Sequence, residues 1–182
     1  MEQRIAARVL GIGNVLWADE GFGVRAVEAL NAAFVFPDGV ELQDGGTLGL
    51  ALYDAVASAR RVLVFDAVDF KLAPGTVKVL RDAEVPAWGA AKLSPHQTGF
   101  NEVLALAAIK DRYPDAITVV GVQPVELADF GGSLTPPVRA CLAPAVSRVL
   151  SRAGMLHPVL TLRATLLPPP RGTPLRHVDW SG

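Results

Sequence analysis

The sequence has a single cysteine, Cys141, among its 182 residues. No disulfide can therefore form within the chain, and a zinc site built from cysteines is excluded. Neither sign of charge is in excess, because 17 lysines and arginines stand against 18 aspartates and glutamates. This balance argues against a protein that binds nucleic acid or a membrane surface by electrostatic attraction.

Long apolar runs are also missing. No run approaches the roughly 20 residues that cross a bilayer, and residues 1–8 lack the apolar segment of a secretory signal. We therefore expect a cytoplasmic protein with no membrane partner. Hydrophobic residues make up 51% of the sequence, so a chain of this length can bury a large core as one domain.

Patterns typical of buried strands alternate with helical patterns along residues 5–153. Continuous or alternating apolar runs predict strands near 5–12, 40–44, 62–67, 77–81 and 117–122. The short turn at 73–76 has no helical pattern, so strand 77–81 should be antiparallel at an edge. The predicted fold is a three-layer α/β/α sandwich with a twisted, mostly parallel five-stranded sheet and one antiparallel edge strand.

Apolar residues at spacings of three and four predict the helices. They place helices at 23–34, around 48–56, around 100–107, and from Pro136 to Gly154. Cys141 lies on the apolar stripe of the last helix, which favours a buried, inert thiol. Residues 158–182 are rich in proline and predict a tail, partly disordered and not needed for the fold. We therefore divide the chain into an α/β domain at 1–157 and a tail at 158–182.

A glycine turn follows the first predicted strand. Gly11 and Gly13 match the start of a dinucleotide fingerprint, but the third glycine is replaced by Leu16. A tight strand-to-loop turn is the simpler interpretation. A nucleotide-binding enzyme remains an alternative, which predicts tight nucleotide binding.

Carboxylates and one histidine follow the predicted strands. Asp19 and Glu20 can favour a helix N-terminus or bind a cation. Asp44 can form a turn, and His96 alone can be structural. Asp66 follows four apolar residues of a buried strand, where a lone carboxylate is costly, so it either caps the strand end or meets a cation.

The carboxyl ends of parallel strands meet at one edge of a sheet, where ligands usually bind. Glu, Asp and His side chains gathered there would form a nitrogen and oxygen ligand set with room for water. Such a set suits zinc, nickel or a similar metal. The sequence separations are long, so only the fold prediction brings these residues together.

Four motifs together resemble those of the hydrogenase maturation endopeptidases. They are Gly-Ile-Gly-Asn-Val-Leu at 11–16 with Asp-Glu-Gly-Phe-Gly-Val at 19–24, Asp-Gly-Gly-Thr at 44–47, Asp-Ala at 66–67, and Ser-Pro-His-Gln at 94–97. The resemblance covers roughly residues 5–150, in the family's order. It implies that Glu20, Asp66 and His96 bind metal and are catalytic. We expect Asp44, Gly45, Gly46 and Thr47 to contact the substrate without binding metal.

The resemblance also implies an activity. These enzymes remove the C-terminal extension of the [NiFe] hydrogenase large-subunit precursor, and nickel already bound to the precursor is the implied divalent metal. The metal could activate the attacking water or only dock the substrate. An aspartyl-type or metallo-endopeptidase acting as a monomer is therefore expected. The alternative is a non-catalytic, metal-dependent chaperone that holds the precursor.

Overall fold

The computed structural model describes residues 4–85, 95–146 and 161–162, with only the backbone at 95–98 and 161–162. Its strands are β1 (Ile5–Ile12), β2 (Phe34–Val35), β3 (Val40–Gly46), β4 (Ala59–Ala67), β5 (Val77–Arg81), β6 (Ala116–Val122) and β7 (Thr161–Leu162). Its α-helices are α1 (Phe22–Ala33), α2 (Tyr53–Ala57), α3 (Pro95–Ile109) and α4 (Pro136–Ala140). Single 3₁₀ turns occupy Ala18–Gly21, Gly49–Leu52 and Asp82–Glu84.

Five of the strands form one sheet in the order β3-β1-β4-β6-β5. The pairs β1–β3, β1–β4 and β4–β6 are parallel, and β5 runs antiparallel to β6 at the edge. The predicted sheet is therefore confirmed, including its antiparallel edge strand. The central strand β4 carries the run Val62–Ala67, which is fully buried, as expected for a strand covered on both faces.

Each face of the sheet has its own apolar cluster. On one face, α1 packs through Phe22, Val27 and Leu30 against Leu63 and Phe65 of β4. On the other face, α2 and α3 pack through side chains that include Val56, Phe100 and Val103 against Val62 and Val64. Alternation along β4 sends even-numbered residues to one face and odd-numbered residues to the other. The predicted three-layer sandwich follows from this arrangement.

The last predicted helix is interrupted, which corrects the continuous helix expected from Pro136 to Gly154. Helix α4 ends at Ala140, Cys141 is a turn, and residues 142–146 are helical again. Pro144 accounts for the break, because it has no N–H to donate to the carbonyl of Ala140 and its ring crowds that carbonyl. The Cys141 thiol is half-buried and donates to the carbonyl of Gly75 at 2.8 Å. Residues 147–160 lie outside the described ranges.

A second, two-stranded sheet pairs β2 with β7. Phe34 lies opposite Leu162 and Val35 opposite Thr161, in antiparallel register. Two residues of the predicted tail therefore pair with the segment that follows α1. The remainder of the tail, with its proline cluster, lies outside the described ranges. None of the helices within those ranges is long and apolar enough to cross a bilayer.

Candidate active site

Three adjacent strands bring the first three sequence motifs to one edge of the sheet. β1 lies between β3 and β4, and all three run parallel. Glu20 follows β1, Asp44 lies near the end of β3, and Asp66 lies near the end of β4. The carboxyl ends of the strands therefore form the common base of the candidate site.

The glycines of the first motif allow very close packing. A Cβ placed on Gly13, whose φ is +130°, would lie 1.8 Å from the carbonyl oxygen of Glu20. A Cβ placed on Gly23 would lie 2.2 Å from the carbonyl oxygens of both Ile12 and Phe65. The turn that carries Glu20 and the start of α1 thus rest directly on the ends of β1 and β4. The Gly-x-Gly pattern therefore allows close packing in a tight strand-to-loop turn, which was the simpler of the two interpretations of the sequence.

Asp19 and Glu20 have different surroundings, although both are buried. One carboxylate oxygen of Asp19 accepts hydrogen bonds from the backbone N–H groups of Val125 at 2.8 Å and Glu126 at 3.1 Å, and from the hydroxyl of Thr135 at 2.9 Å. The other oxygen accepts the backbone N–H of Thr135 at 2.7 Å. Asp19 therefore holds the loop that follows β6 against the loop that follows β1. Its role is structural, whereas Glu20 remains a candidate ligand.

Asp66 has no exposed surface. It alternates along β4 with Val62, Val64 and Val68, which belong to the cluster under α3. Its side chain is consequently on the face of the sheet that α2 and α3 cover. Burial of a carboxylate in such a position is costly in free energy unless positive charge or hydrogen bonds compensate it.

His96 lies in the first turn of α3, not in a loop as the sequence suggested. Proline is tolerated at the first position of a helix, so Pro95 begins α3 instead of preventing it. Three residues further on, a Cβ placed on Gly99 would lie 2.9 Å from the Cα of Gly49. This contact packs the start of α3 against the turn that follows Asp44–Thr47. The side chain of His96 lies outside the described residues.

The second motif combines a turn with a buried glycine. The Asp44 carboxylate accepts the backbone N–H of Gly46 at 2.8 Å, and Gly46 has a φ of +42°. This is the turn-forming role that the sequence left open. Desolvation by burial raises the pKa of Asp44, the Gly46 N–H opposes that rise, and nearby Glu28 on α1 adds to it. Asp44 therefore faces the α1 side of the sheet, opposite to Asp66.

The two residues on either side of Gly46 differ in exposure. Gly45 is buried, and a Cβ placed there would lie 3.2 Å from the carbonyl oxygen of Gly11. Asp44 and Thr47 are exposed. Within this motif, Asp44 and Thr47 are thus the groups that a substrate could reach.

The shared metal site predicted for Glu20, Asp66 and His96 stays a prediction. Among the side chains described, no group of three His, Cys, Asp or Glu residues is placed to hold a metal ion. The His96 side chain is not among them. Glu20 and Asp66 supply two buried carboxylates at one sheet edge, and their hard oxygen donors fit a divalent cation with a third ligand from α3.

The loop that follows β6 borders the candidate site, although no motif in the sequence predicts this. Within this loop, Phe130 contacts Trp17 edge-to-face, with ring centroids 5.2 Å apart. Gln123 is buried at the start of the loop and accepts the backbone N–H of Leu72 at 3.1 Å. Apolar residues between turn formers at 125–130 were the only signal in the sequence, because no chemical motif marks the loop.

Comparisons with known proteins identify the family. The family model of the hydrogenase maturation proteases, HycI, matches residues 24–152. The hydrogenase expression/formation protein HupM of Azotobacter chroococcum mcd 1 is 61% identical over 144 residues, which cover 79% of this chain and 69% of HupM. The hydrogenase 2 maturation protease of Escherichia coli K12 is 46% identical over 144 residues, 79% of this chain and 87% of that protein.

A solved structure agrees with these sequence matches. The hydrogenase maturating endopeptidase HybD from Escherichia coli superposes with a TM-score of 0.82 at 41% identity, covering 87% of this chain and 98% of HybD. The fold, the order of the motifs and the sequence matches lead to one conclusion. The chain belongs to the hydrogenase maturation proteases, a family of endopeptidases.

Proposed function

We propose that this protein removes the C-terminal extension of a [NiFe] hydrogenase large-subunit precursor and recognises the nickel that the precursor carries. The observation that supports this most directly is the pair of buried carboxylates, Glu20 and Asp66, at the carboxyl ends of adjacent strands. His96 at the start of α3 supplies the third ligand. The nickel is part of the substrate, so the site forms fully only when the precursor is bound.

The ligand set has a suitable charge and rigidity. Two carboxylates and one neutral imidazole balance most of the charge of a divalent ion and leave coordination positions open for water or a substrate group. Asp66 belongs to a buried strand, which fixes its backbone, while Glu20 lies in a 3₁₀ turn packed on the strand ends. The site therefore offers fixed oxygen ligands to an incoming metal.

Peptide hydrolysis at this site adds water across the scissile C–N bond. The hydroxyl joins the carbonyl carbon, and a proton passes to the leaving nitrogen. The carboxylates of Glu20 and Asp66 can accept the proton of the attacking water when it lies within hydrogen-bonding distance. The nickel either polarises the carbonyl and the water or serves only to position the precursor.

The test is incubation with nickel-loaded precursor, followed by intact mass measurement. The wild-type protein should produce the mass loss of the C-terminal extension. Asp66→Asn keeps the size of the side chain and removes its charge, so it should abolish processing, as should Glu20→Gln and His96→Ala. Asp54→Asn, at an exposed position on α2, is the matched control and should process normally.

Metal binding provides a second measurement on the same variants. His96→Ala should lose most affinity for nickel, and wild-type affinity should fall as the pH is lowered, because only neutral imidazole binds metal. Normal processing by Asp66→Asn would overturn the proposal. Stable binding of the precursor by the wild-type protein without any mass change would instead identify the chaperone.

A further inference from the structure

Exposed apolar side chains are concentrated around the candidate site. Among the described residues, 11 large hydrophobic side chains are exposed, and seven of them lie on loops that follow β1, β3 and β6. They are Val15, Leu16, Leu48, Leu50, Val125, Leu127 and Phe130. Single exposed apolar residues need no explanation, but a grouped set indicates an interaction surface.

Two of these loops are joined into one surface. The N–H of Gly131 donates to the carbonyl of Leu16 at 2.7 Å, and the N–H of Ala18 donates to the carbonyl of Asp129 at 3.2 Å. The rings of Trp17 and Phe130 meet at an interplanar angle of 69°. We call this surface the apolar platform; it consists of Val15, Leu16, Trp17, Val125, Leu127 and Phe130.

Buried hydrogen bonds hold the platform in place. The carboxylate of Asp19 has no exposed surface and accepts N–H groups on both sides of the apolar residues, from Val125 and from Thr135. Leu16 is 54% exposed and Phe130 is 66% exposed. Apolar area left exposed to water contributes no burial energy to the isolated protein. A rigid surface does lower the entropy that a partner must offset on binding.

The position of the platform indicates its partner. In the sheet, β4 with Asp66 lies between β1 and β6, the two strands whose loops form the platform. A partner seated there lies at the carboxyl ends of the strands, the edge of the sheet that also carries Glu20 and Asp66. Exposed Glu126 and Asp129 lie within the same loop, so acidic groups accompany the apolar side chains, as at the polar rim of an interface.

We propose that the apolar platform docks the folded body of the hydrogenase precursor through an apolar patch, with basic groups at its rim, beside the C-terminal extension. This inference rests on the proposed function, because it needs the precursor as the partner. Glu20, Asp66 and His96 then recognise the metal and the scissile segment, while the platform provides the affinity for the surrounding protein. The platform residues do not take part in the hydrolysis.

The test uses the full chain and nickel-loaded precursor, with the double variant Leu16→Ser and Phe130→Ser. The dissociation constant, measured by biolayer interferometry, and KM should both rise about tenfold or more, the order expected for two central interface residues, while kcat stays within about twofold. Ile109→Ser is the matched control, since Ile109 is 81% exposed at the far end of α3. It should leave both constants unchanged.

Each other outcome has a definite meaning. Unchanged binding of the precursor by the double variant would overturn the platform proposal. An equal loss of affinity in Ile109→Ser would overturn it as well. A melting temperature lowered by several degrees in Leu16→Ser alone, which leaves the Trp17–Phe130 ring contact in place, would show that another part of this chain covers the surface, which also overturns the platform proposal. If the wild-type protein binds but does not process the precursor, and only the double variant loses binding, the proposed function fails and the platform stands.

Discussion

Asp19 and Glu20 are neighbouring buried carboxylates, and the structure assigns a structural role to the first. The Asp19 carboxylate accepts four hydrogen bonds from the loop that follows β6. Glu20 lies over the strand ends, within the candidate metal site. A pair of acidic residues in a sequence cannot reveal this difference, because it depends on a loop more than 100 residues away. Asp19 holds two loops of the candidate site together, and Glu20 is a candidate ligand within that site.

Replacement of Asp19 by asparagine should weaken the fold without touching the ligand set. Asparagine presents one acceptor oxygen and one N–H₂ group, so at least one N–H of Val125, Glu126 or Thr135 must face another donor. We expect the free energy of unfolding to fall by roughly 2–3 kcal/mol in chemical denaturation. Hydrogen exchange at residues 125, 126 and 135 should become faster.

Glu126→Gln is the control for that substitution. Glu126 is exposed, and its side chain accepts the nearby N–H of Ala128, a bond that glutamine can keep. Its stability should stay within about 0.5 kcal/mol of wild type. An Asp19→Asn protein as stable as this control would show that the hydrogen bonds to the loop have no net effect on stability.

Two substitutions of Asp44 distinguish its role in forming the turn from the role of its charge. Asp44→Ala removes the acceptor for the Gly46 N–H and should impair processing while leaving nickel affinity nearly intact. Asp44→Asn keeps an acceptor and removes only the charge. If Asp44 acts only by accepting the Gly46 N–H in the turn, the asparagine variant should process the precursor normally. If Asp44 meets a basic group of the precursor, both variants should be slow in the intact-mass assay, and loss of nickel affinity would place Asp44 in the ligand set.

The asparagine variant also tests the raised pKa of Asp44. A raised carboxyl pKa means that the folded state favours the protonated acid, so its contribution to stability is present at low pH and is lost as the pH rises through that pKa. Asp44→Asn should therefore be at least as stable as wild type at pH 7. That difference should disappear when unfolding is measured below about pH 4.

At the scale of elements, the strands were predictable and the helix boundaries were less so. Runs such as Val62–Phe65 have one stable arrangement, burial on both faces, and the structure confirms them. The start of α3 was missed because prolines and small residues resemble a loop, although Pro95 fits a first helical turn. The break after Ala140 was missed because the apolar spacing continues past Pro144, whereas the helix is interrupted there by the missing N–H of proline.

The loop between β1 and α1 depends on glycine at position 13. In Gly13→Ala the new Cβ would meet the Glu20 carbonyl oxygen at 1.8 Å at a φ of +130°. The turn would have to move away from the strand ends. We expect a loss of roughly 3 kcal/mol or more in the free energy of unfolding, together with loss of processing.

Gly131→Ala is the control for Gly13→Ala, because it adds backbone strain without a close contact of the new Cβ. Gly131 has a φ of +81°, and a Cβ placed there meets nothing within 4 Å. Only the cost of the left-handed conformation applies, about 1 kcal/mol. Equal losses in the two variants would show that conformation alone, and not close packing of the Glu20 turn, requires Gly13.

On the scale of the whole molecule, two kinds of information were needed. Periodicity identifies the sheet and its layers, because burial acts on every residue of a strand or helix. The candidate site required the sheet order, which brings the ends of β1, β3 and β4 together, and its residue types were recognised through resemblance to a family. The apolar platform had no motif at all, since exposed apolar residues gain meaning only when the fold places them side by side.

The last prediction concerns the tail, and a chain truncated at Met155 tests it. The five-stranded sheet lies within residues 5–122, the described members of both apolar clusters lie within residues 5–146, and β7 pairs with Phe34 and Val35. Truncation should therefore leave a cooperative unfolding transition and cost roughly 1–2 kcal/mol, the value of a few hydrogen bonds. A chain ending at Ala140 is the control, because it also removes Ala145 and Val146 from the cluster under α1 and should unfold at a much lower denaturant concentration. If the longer truncated chain is insoluble or unfolds without cooperativity, the tail is part of the domain and the boundary near residue 158 is wrong.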